Sequence, residues 1–169
     1  MAGAPPAAPS ALDRARLALV SFGFLGCSPI VPGTVGTLGG VLLAWLFART
    51  PSFALWSLAA CAVLYVLARS QGRWAERYAG KKDPGFFVVD EVIGYLITCL
   101  WSSAPSTLTL TVAFFVFRFF DIAKPPPARR MERLGGGDGI LLDDVVSGLY
   151  GLAFLAVLRL AFPALPWAR

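Results

Sequence analysis

The chain contains no histidine among its 169 residues. It therefore cannot form a Ser-His-Asp hydrolase triad or a phosphohistidine intermediate. Its three cysteines, Cys27, Cys61 and Cys99, are odd in number and far apart, and no Cys-x-x-Cys pair occurs, so the sequence suggests neither a zinc site nor a disulfide framework. No arginine follows a cysteine by six residues and no Asp-x-Asp occurs, which excludes the thiol phosphatase and the usual aspartyl-phosphate arrangements.

Charge is also scarce. Only 15% of the residues are charged and 57% are hydrophobic, whereas soluble domains are about 25% charged and about 45–50% apolar. This composition predicts a membrane protein, and its net charge of +5 is typical of basic cytoplasmic loops. A nucleic-acid partner is not expected, because the stretches between the basic residues are apolar rather than polar.

Charged residues divide the apolar sequence into segments. Residues 38–48 are predicted as the core of a first spanning helix and residues 53–68 as the second. The first part of the uncharged run, SFGFLGCSPIVPGTVGTLGG at residues 21–40, is rich in Gly and Pro and indicates an irregular N-terminal segment. Residues 1–11 are Ala/Pro-rich and lack the order of a signal peptide. We expect them to form a disordered tail before a single membrane-embedded domain over residues 12–169.

Residues 92–117 are 26 uncharged positions that form either one tilted helix or two short helices joined by a turn. Residues 102–106, SSAPS, have the composition of a turn. The flanking segments, residues 69–82 and 118–133, are both basic, and one crossing would place them on opposite sides of the membrane, against the positive-inside tendency. We therefore predict a helical hairpin, followed by a last helix over residues 143–162.

The resulting prediction is an all-α, multi-pass bundle of about five short transmembrane helices with the N-terminus inside. Twelve of the 15 basic residues then lie on the cytoplasmic side. Spans of about 14–16 residues rise only about 21–24 Å, whereas a bilayer core is about 30 Å thick. The helices must therefore borrow flanking residues, or the bilayer must thin locally. The oligomeric state is left open.

Five of the ten carboxylates adjoin apolar stretches, where ionisable groups are costly and mark functional sites. These are Asp90, Glu91, Asp121, Asp143 and Asp144. In the predicted hairpin they lie at the cytoplasmic ends of three helices, two of them helix starts, where single acids could instead be caps. Adjacent acidic pairs repel one another, and Mg²⁺ would relieve the repulsion because it prefers hard oxygen ligands.

Basic residues beside the acids predict an anionic ligand. Arg118 and Lys124 flank Asp121, and three prolines after Lys124 must end the helix. A phosphate site without a familiar nucleophile suggests water activated by a metal.

Two segments could approach a phosphate through the backbone. The GGGDG sequence at residues 135–139 precedes the last acidic pair, and its amides, including those of Gly137 and Gly139, are predicted to face the substrate. In SPIVPGT, Ser28 and Thr34 could cap helices or touch the substrate, and the sequence does not separate these alternatives.

Three stretches together resemble the phosphatidylglycerophosphatase A family: SPIVPGTVGTLGG at residues 28–40, VVDEVIGYLIT at residues 88–98, and FRFFDIAKPPP with GGGDGILLDDVVSG between residues 117 and 148. The resemblance implies a Mg²⁺-dependent lipid phosphatase of the bacterial inner membrane, with its active site facing the cytoplasm. Such an enzyme converts phosphatidylglycerophosphate to phosphatidylglycerol and phosphate. It also implies that the five carboxylates are the catalytic and metal-binding residues and that Arg118 and Lys124 bind the substrate.

Three alternatives remain at this point. The substrate could be another phosphorylated lipid. The protein could be a cation transporter whose carboxylates line a permeation site, which would place them near the bilayer midplane. It could also be a non-catalytic membrane subunit in which Arg118 and Lys124 simply neutralise the acids.

Overall fold

The computed structural model describes residues 9–131 and 134–168, and within these ranges it is helical with no strand. Residues 1–8 of the predicted tail, which was expected over residues 1–11, lie outside the described residues, as does the predicted cytoplasmic cation Arg133. The described helices, in chain order, are α1 (Ala11–Val20), α2 (Pro32–Phe47), α3 (Phe53–Arg69), α4 (Gly72–Ala79), α5 (Val89–Cys99), α6 (Thr107–Ala123), α7 (Ala128–Met131) and α8 (Gly136–Ala161). The all-α class is thereby confirmed.

Helix α1 is capped and attached to α4 by polar contacts. Ser10 accepts a hydrogen bond from the Asp13 amide at 3.1 Å, and the Asp13 side chain accepts one in return from the Ser10 amide at 3.3 Å, which is a capping box. The Trp74 indole N–H donates to Asp13 Oδ1 at 2.9 Å. The bonds from Ser10 and then Trp74 lower the pKa of the Asp13 carboxyl below its usual value. Ser10 and Ala11 thus belong to a capped helix start.

Helix α2 begins at Pro32, about six residues before the predicted core. Proline suits the first turn because it lacks an N–H that would have no partner there. Two of the glycines that indicated irregular structure pack against α5 and its N-cap instead: a Cβ at Gly36 would lie 2.8 Å from Cγ2 of the cap residue Val88, and one at Gly40 would lie 3.1 Å from Tyr95 Cδ1. The irregular backbone is confined to residues 21–31, with a 3₁₀ turn at Leu25–Cys27.

The predicted hairpin over residues 92–117 is confirmed as two helices. Helix α5 ends at Cys99 and α6 begins at Thr107, so the chain turns at the SSAPS sequence. Ser106 caps α6 by accepting a hydrogen bond from the Thr109 amide at 3.2 Å. The Tyr95 hydroxyl donates to the Leu110 carbonyl at 2.9 Å and ties the two helices together.

Helix α5 lies at the centre of the bundle and approaches α8 through small residues. A Cβ at Gly148 would collide with the Gly94 backbone, and the Thr98 hydroxyl lies 3.0 Å from the Gly94 carbonyl and 3.3 Å from the Gly148 carbonyl. Residues four apart share a helix face, so Asp90 is on the face of Gly94, and Asp144 is on the face of Gly148. The surfaces that allow close approach therefore also carry carboxylates.

By length and composition, α8 is the described helix that could cross a membrane, and α3 with α4 would be a second if that pair, bent by 53°, formed one span. Helix α2 is apolar but shorter, and the 11 residues of α5 rise only about 17 Å. Helix length thus does not establish five spans, and that number stays a prediction. Helix α8 also begins earlier than predicted, at Gly136 rather than near Asp143.

Candidate active site

The five carboxylates singled out from the sequence lie on three helices. Asp90 and Glu91 are in the first turn of α5, and Asp121 is in the last turn of α6. Asp143 and Asp144 lie about two turns into α8, not at its start, because α8 begins at Gly136. The four aspartates are buried, and Glu91 is partly exposed. Helix-capping does not explain the α8 pair, because a cap lies at a helix end.

Three of these carboxylates converge. Asp90, Glu91 and Asp144 each offer one oxygen, and these oxygens lie within 4.8 Å of one another. We call these three residues the acidic triad. Neighbouring residues of α5 supply two members, and the close approach of α5 to α8 supplies the third. This spacing brings three oxygen ligands within reach of a single cation.

The other two carboxylates pair with the predicted cations. Arg118 Nη1 forms an ion pair with Asp121 Oδ2 one turn away on α6. Lys124 Nζ lies 2.6 Å from Asp143 Oδ2 and joins the end of α6 to α8. Lys124 caps α6 in the left-handed conformation, with φ of 42°, which is uncommon for a residue other than glycine. Arg118 lies beside the acidic triad, because its Nη1 and Glu91 Oε1 are both within 3.3 Å of the position that a Cβ on Gly33 would occupy. Lys124 reaches Asp143, the residue before Asp144 on α8.

Two oxygens of the acidic triad are buried without a hydrogen-bond partner among the described residues: Glu91 Oε2 and Asp144 Oδ1. Buried polar atoms almost always have a partner, and no described cationic side chain forms an ion pair with a triad member. Carboxylate oxygens are the donors that a hard divalent cation prefers. The residues present therefore fit a Mg²⁺ ion, which would satisfy these oxygens and offset their mutual repulsion.

The glycine sequence before α8 differs from the predicted phosphate loop, since residues from Gly136 onward are helical. A Cβ at Gly137 would collide with the Arg69 backbone, so this glycine serves the contact between α8 and α3. The Gly136 amide donates to Glu76 Oε1 at 3.2 Å, and Asp138 accepts hydrogen bonds from Arg69 Nε at 2.6 Å and the Tyr65 hydroxyl at 2.7 Å. Groups at the start of α8 are thus already hydrogen-bonded to side chains of the protein.

The remaining residues predicted to contact the substrate lie in ordinary turns and helix starts. Ser28 makes a turn with Ile30, donating to its carbonyl at 2.9 Å. Thr34 is half-buried in the first turn of α2, and Gly139 is buried near the start of α8. Substrate contact by Ser28, Thr34, Gly137 and Gly139 stays a prediction.

The sequence analysis did not single out three glycines that allow close contacts near the acids, namely Gly33, Gly94 and Gly148. The available signal was spacing: Gly94 follows Asp90 by four residues, and Gly148 follows Asp144 by four. A small residue one helical turn from a carboxylate marks a face that can approach another helix closely.

Comparison with known proteins identifies the family of this chain. Residues 18–159 match the family described as phosphatidylglycerophosphatase A. A protein of Bacteroides thetaiotaomicron named putative phosphatidylinositol-3-phosphatase is 38% identical over 151 residues, covering 83% of this chain and 92% of the relative.

Two further relatives carry the name phosphatidylglycerophosphatase A. That of Escherichia coli strain K12 is 34% identical, covering 83% of this chain and 80% of its own. That of Haemophilus influenzae is 33% identical, covering 85% and 87%. No solved structure matches the chain.

Proposed function

Because the chain belongs to the phosphatidylglycerophosphatase A family and is a phosphatase, we propose that it hydrolyses phosphatidylglycerophosphate to phosphatidylglycerol and inorganic phosphate. This reaction would serve phospholipid biosynthesis. The observation that carries the proposal is the acidic triad, whose three ligand oxygens lie within 4.8 Å of one another, with Arg118 next to Glu91. Names given to relatives support the choice of lipid.

Asp90, Glu91 and Asp144 would hold Mg²⁺. When bound, the ion would lower the pKa of a coordinated water and offset the negative charge of the phosphoryl oxygens. The buried oxygens of Glu91 and Asp144 that accept no hydrogen bond within the described structure support this role, since burial without a partner is costly. Their burial also keeps bulk water from weakening the electrostatic interactions at the site.

Arg118 and Lys124 would bind the phosphate oxygens of the substrate. Guanidinium and ammonium groups are strong donors to phosphate, and their ion pairs with Asp121 and Asp143 fix where they point. The proposed reaction is a simple hydrolysis of the phosphomonoester. Water attacks phosphorus and gives up a proton, the bond from phosphorus to the glycerol oxygen breaks, and the departing alkoxide takes up a proton.

A second candidate substrate is phosphatidylinositol 3-phosphate. The relative from Bacteroides thetaiotaomicron, named for that activity, is 38% identical. Both lipids carry a phosphomonoester on a headgroup, so the same charged groups would serve either. The cation-transporter alternative loses support, because the chain belongs to a phosphatase family and cationic side chains pair with two of the carboxylates, which does not favour the passage of cations.

The test is phosphate release by detergent-purified protein, assayed on both lipids with Mg²⁺ and with EDTA. We expect release from phosphatidylglycerophosphate in Mg²⁺, loss of release in EDTA, and recovery when excess Mg²⁺ is restored. Faster release from phosphatidylinositol 3-phosphate would shift the assignment to that lipid. Release that EDTA does not reduce would contradict the metal proposal, and folded protein inactive on both lipids would contradict the substrate class.

We also propose that the chain crosses the bacterial inner membrane several times, with the acidic triad towards the cytoplasm. The start of α5 and the end of α6 carry the carboxylates, and the α5–α6 turn lies at the other end of both helices. At that other end, Trp101 and Trp167 pack edge to face with ring centres 5.6 Å apart. Tryptophan is enriched at membrane interfaces, and this supports an external position for the turn.

Labelling with a membrane-impermeant maleimide would test this topology. Ser103→Cys places a thiol in the exposed α5–α6 turn, and we expect it to be labelled in intact spheroplasts. The native Cys27 is an internal control: it is exposed, precedes α2 on the side of the site, and should react only after permeabilisation. Labelling of Cys27 but not of Ser103→Cys in intact spheroplasts would reverse the proposed orientation.

A further inference from the structure

Gly33 is the point at which α2 touches the candidate active site. It is the second residue of α2. A Cβ built on it would lie 2.5 Å from Glu91 Oε1 and 3.3 Å from Arg118 Nη1. One missing methyl group therefore leaves room both for a member of the acidic triad and for a cation of the proposed phosphate site.

Backbone conformation does not explain the glycine. Gly33 is helical, and it is not among the described glycines with positive φ, which are Gly23, Gly80, Gly135 and Gly136. Alanine is also a better helix former than glycine. Glycine at this position thus lacks a reason in local structure, and the reason must lie in what surrounds it.

The surroundings of Gly33 also differ from those of the packing glycines. A Cβ at Gly26 would collide with the Phe86 backbone, and one at Gly148 with the Gly94 backbone, so substitution there must move whole helices or loops. At Gly33 the obstacle is the end of the flexible Glu91 side chain. A glutamate side chain can rotate away, so a methyl group at position 33 would disturb the site while leaving the fold intact.

We propose that Gly33 is a positioning residue: the absence of its side chain allows the Glu91 carboxylate to lie beside Asp90 and Asp144, where it can bind the metal. This inference rests on the proposed function. It adds α2 to the elements that build the site, because the start of this helix then limits where the Glu91 carboxylate can lie.

The test is Gly33→Ala, with Gly85→Ala as the matched control. A Cβ at Gly85 would meet only Pro32 Cγ at 3.8 Å, so the control adds the same methyl group near the same helix start without touching the acids. For Gly33→Ala we expect the Mg²⁺ concentration for half-maximal activity to rise about 10- to 100-fold, the usual scale when the positioning of a metal ligand is lost. The control should match wild type.

Metal binding should be measured without turnover as well. Mg²⁺ raises the thermal midpoint of a protein that binds it when folded, and we expect Gly33→Ala to need about 10- to 100-fold more Mg²⁺ for the same rise. Its midpoint in EDTA should stay within a few degrees of wild type. A large drop in EDTA would instead make Gly33 a packing residue and overturn the proposal.

A double mutant separates positioning from packing. Glu91→Asp shortens the side chain by one methylene, which withdraws the carboxylate by about 1.5 Å and relieves the collision. In that background, Gly33→Ala should change Mg²⁺ dependence less than about twofold, so the two substitutions are strongly non-additive. Equal effects of Gly33→Ala in both backgrounds, or wild-type Mg²⁺ dependence of Gly33→Ala alone, would refute the inference. Wild-type protein with no Mg²⁺ dependence would refute the proposed function itself.

Discussion

Asp144→Asn is expected to lower turnover by at least about a thousand-fold, the scale seen when a charged residue of a catalytic group is removed. Asp144 is the member of the acidic triad that α8 contributes, and its Oδ1 is buried with no hydrogen-bond partner among the described residues. Asparagine keeps the volume but removes the charge that would bind Mg²⁺. Asp90→Asn should have an effect of similar size. The measurement is phosphate release from phosphatidylglycerophosphate at saturating Mg²⁺.

Both variants should remain folded and inserted in the membrane. In metal-free protein each removes a negative charge from a site where like charges repel, so the thermal midpoint in EDTA should equal or exceed that of wild type. Asp138→Asn is the matched control, because Asp138 lies on the same helix but pairs with Arg69 and Tyr65. Near-normal turnover by both Asp144→Asn and Asp90→Asn would contradict the proposal that the triad binds a metal ion.

Gly148→Ala should cause the largest loss of stability, by about 3 kcal/mol or more, at the upper end of the range for overpacked cores. The added Cβ would collide with the Gly94 carbonyl, which belongs to the backbone of α5 and cannot rotate away. Helices α5 and α8 would have to separate, and Asp144 would then move away from Asp90 and Glu91. Thermal unfolding in detergent, followed by size-exclusion chromatography, measures the effect.

Gly151→Ala provides the comparison for this prediction. Gly151 is also on α8 and also faces α5, but a Cβ there would meet the Thr98 side chain, with Cγ2 at 2.8 Å. Both substitutions gain the same helix propensity, about 1 kcal/mol, so the difference between them isolates the backbone collision. If Gly148→Ala were no less stable than Gly151→Ala, the close approach of α5 and α8 would not be what holds the site together.

Several features of this fold could be predicted from the sequence because they depend on local composition. The α5–α6 turn follows from SSAPS between two uncharged stretches, and the end of α6 follows from the prolines after Lys124. The starts of α2 and α8 could not be predicted in this way. Glycine-rich sequence favours loops, but at Gly36 and Gly137 contact with neighbouring helices stabilises the helix, and tertiary packing overrides weak propensity.

The sequence also did not predict which carboxylates pair with cations and which converge. All five stood out, because charge is conspicuous in an apolar chain. The pair between Arg118 and Asp121 is local to α6, but the pairing of Lys124 with Asp143 and the convergence of the other three acids depend on how α8 lies against α6 and α5. Neither of these two packing arrangements is local to a motif.

The amino-acid sequence by itself determined the helical class, the hairpin turn, the charged residues of the site and the family resemblance. Each of these depends on residue chemistry or on spacing within one helix, which is a property of short range. The tertiary structure decided which three acids form a metal-sized group and why Gly33, Gly94 and Gly148 matter. Distances between helices depend on the side-chain volumes where the helices meet, and those contacts join residues far apart in the chain.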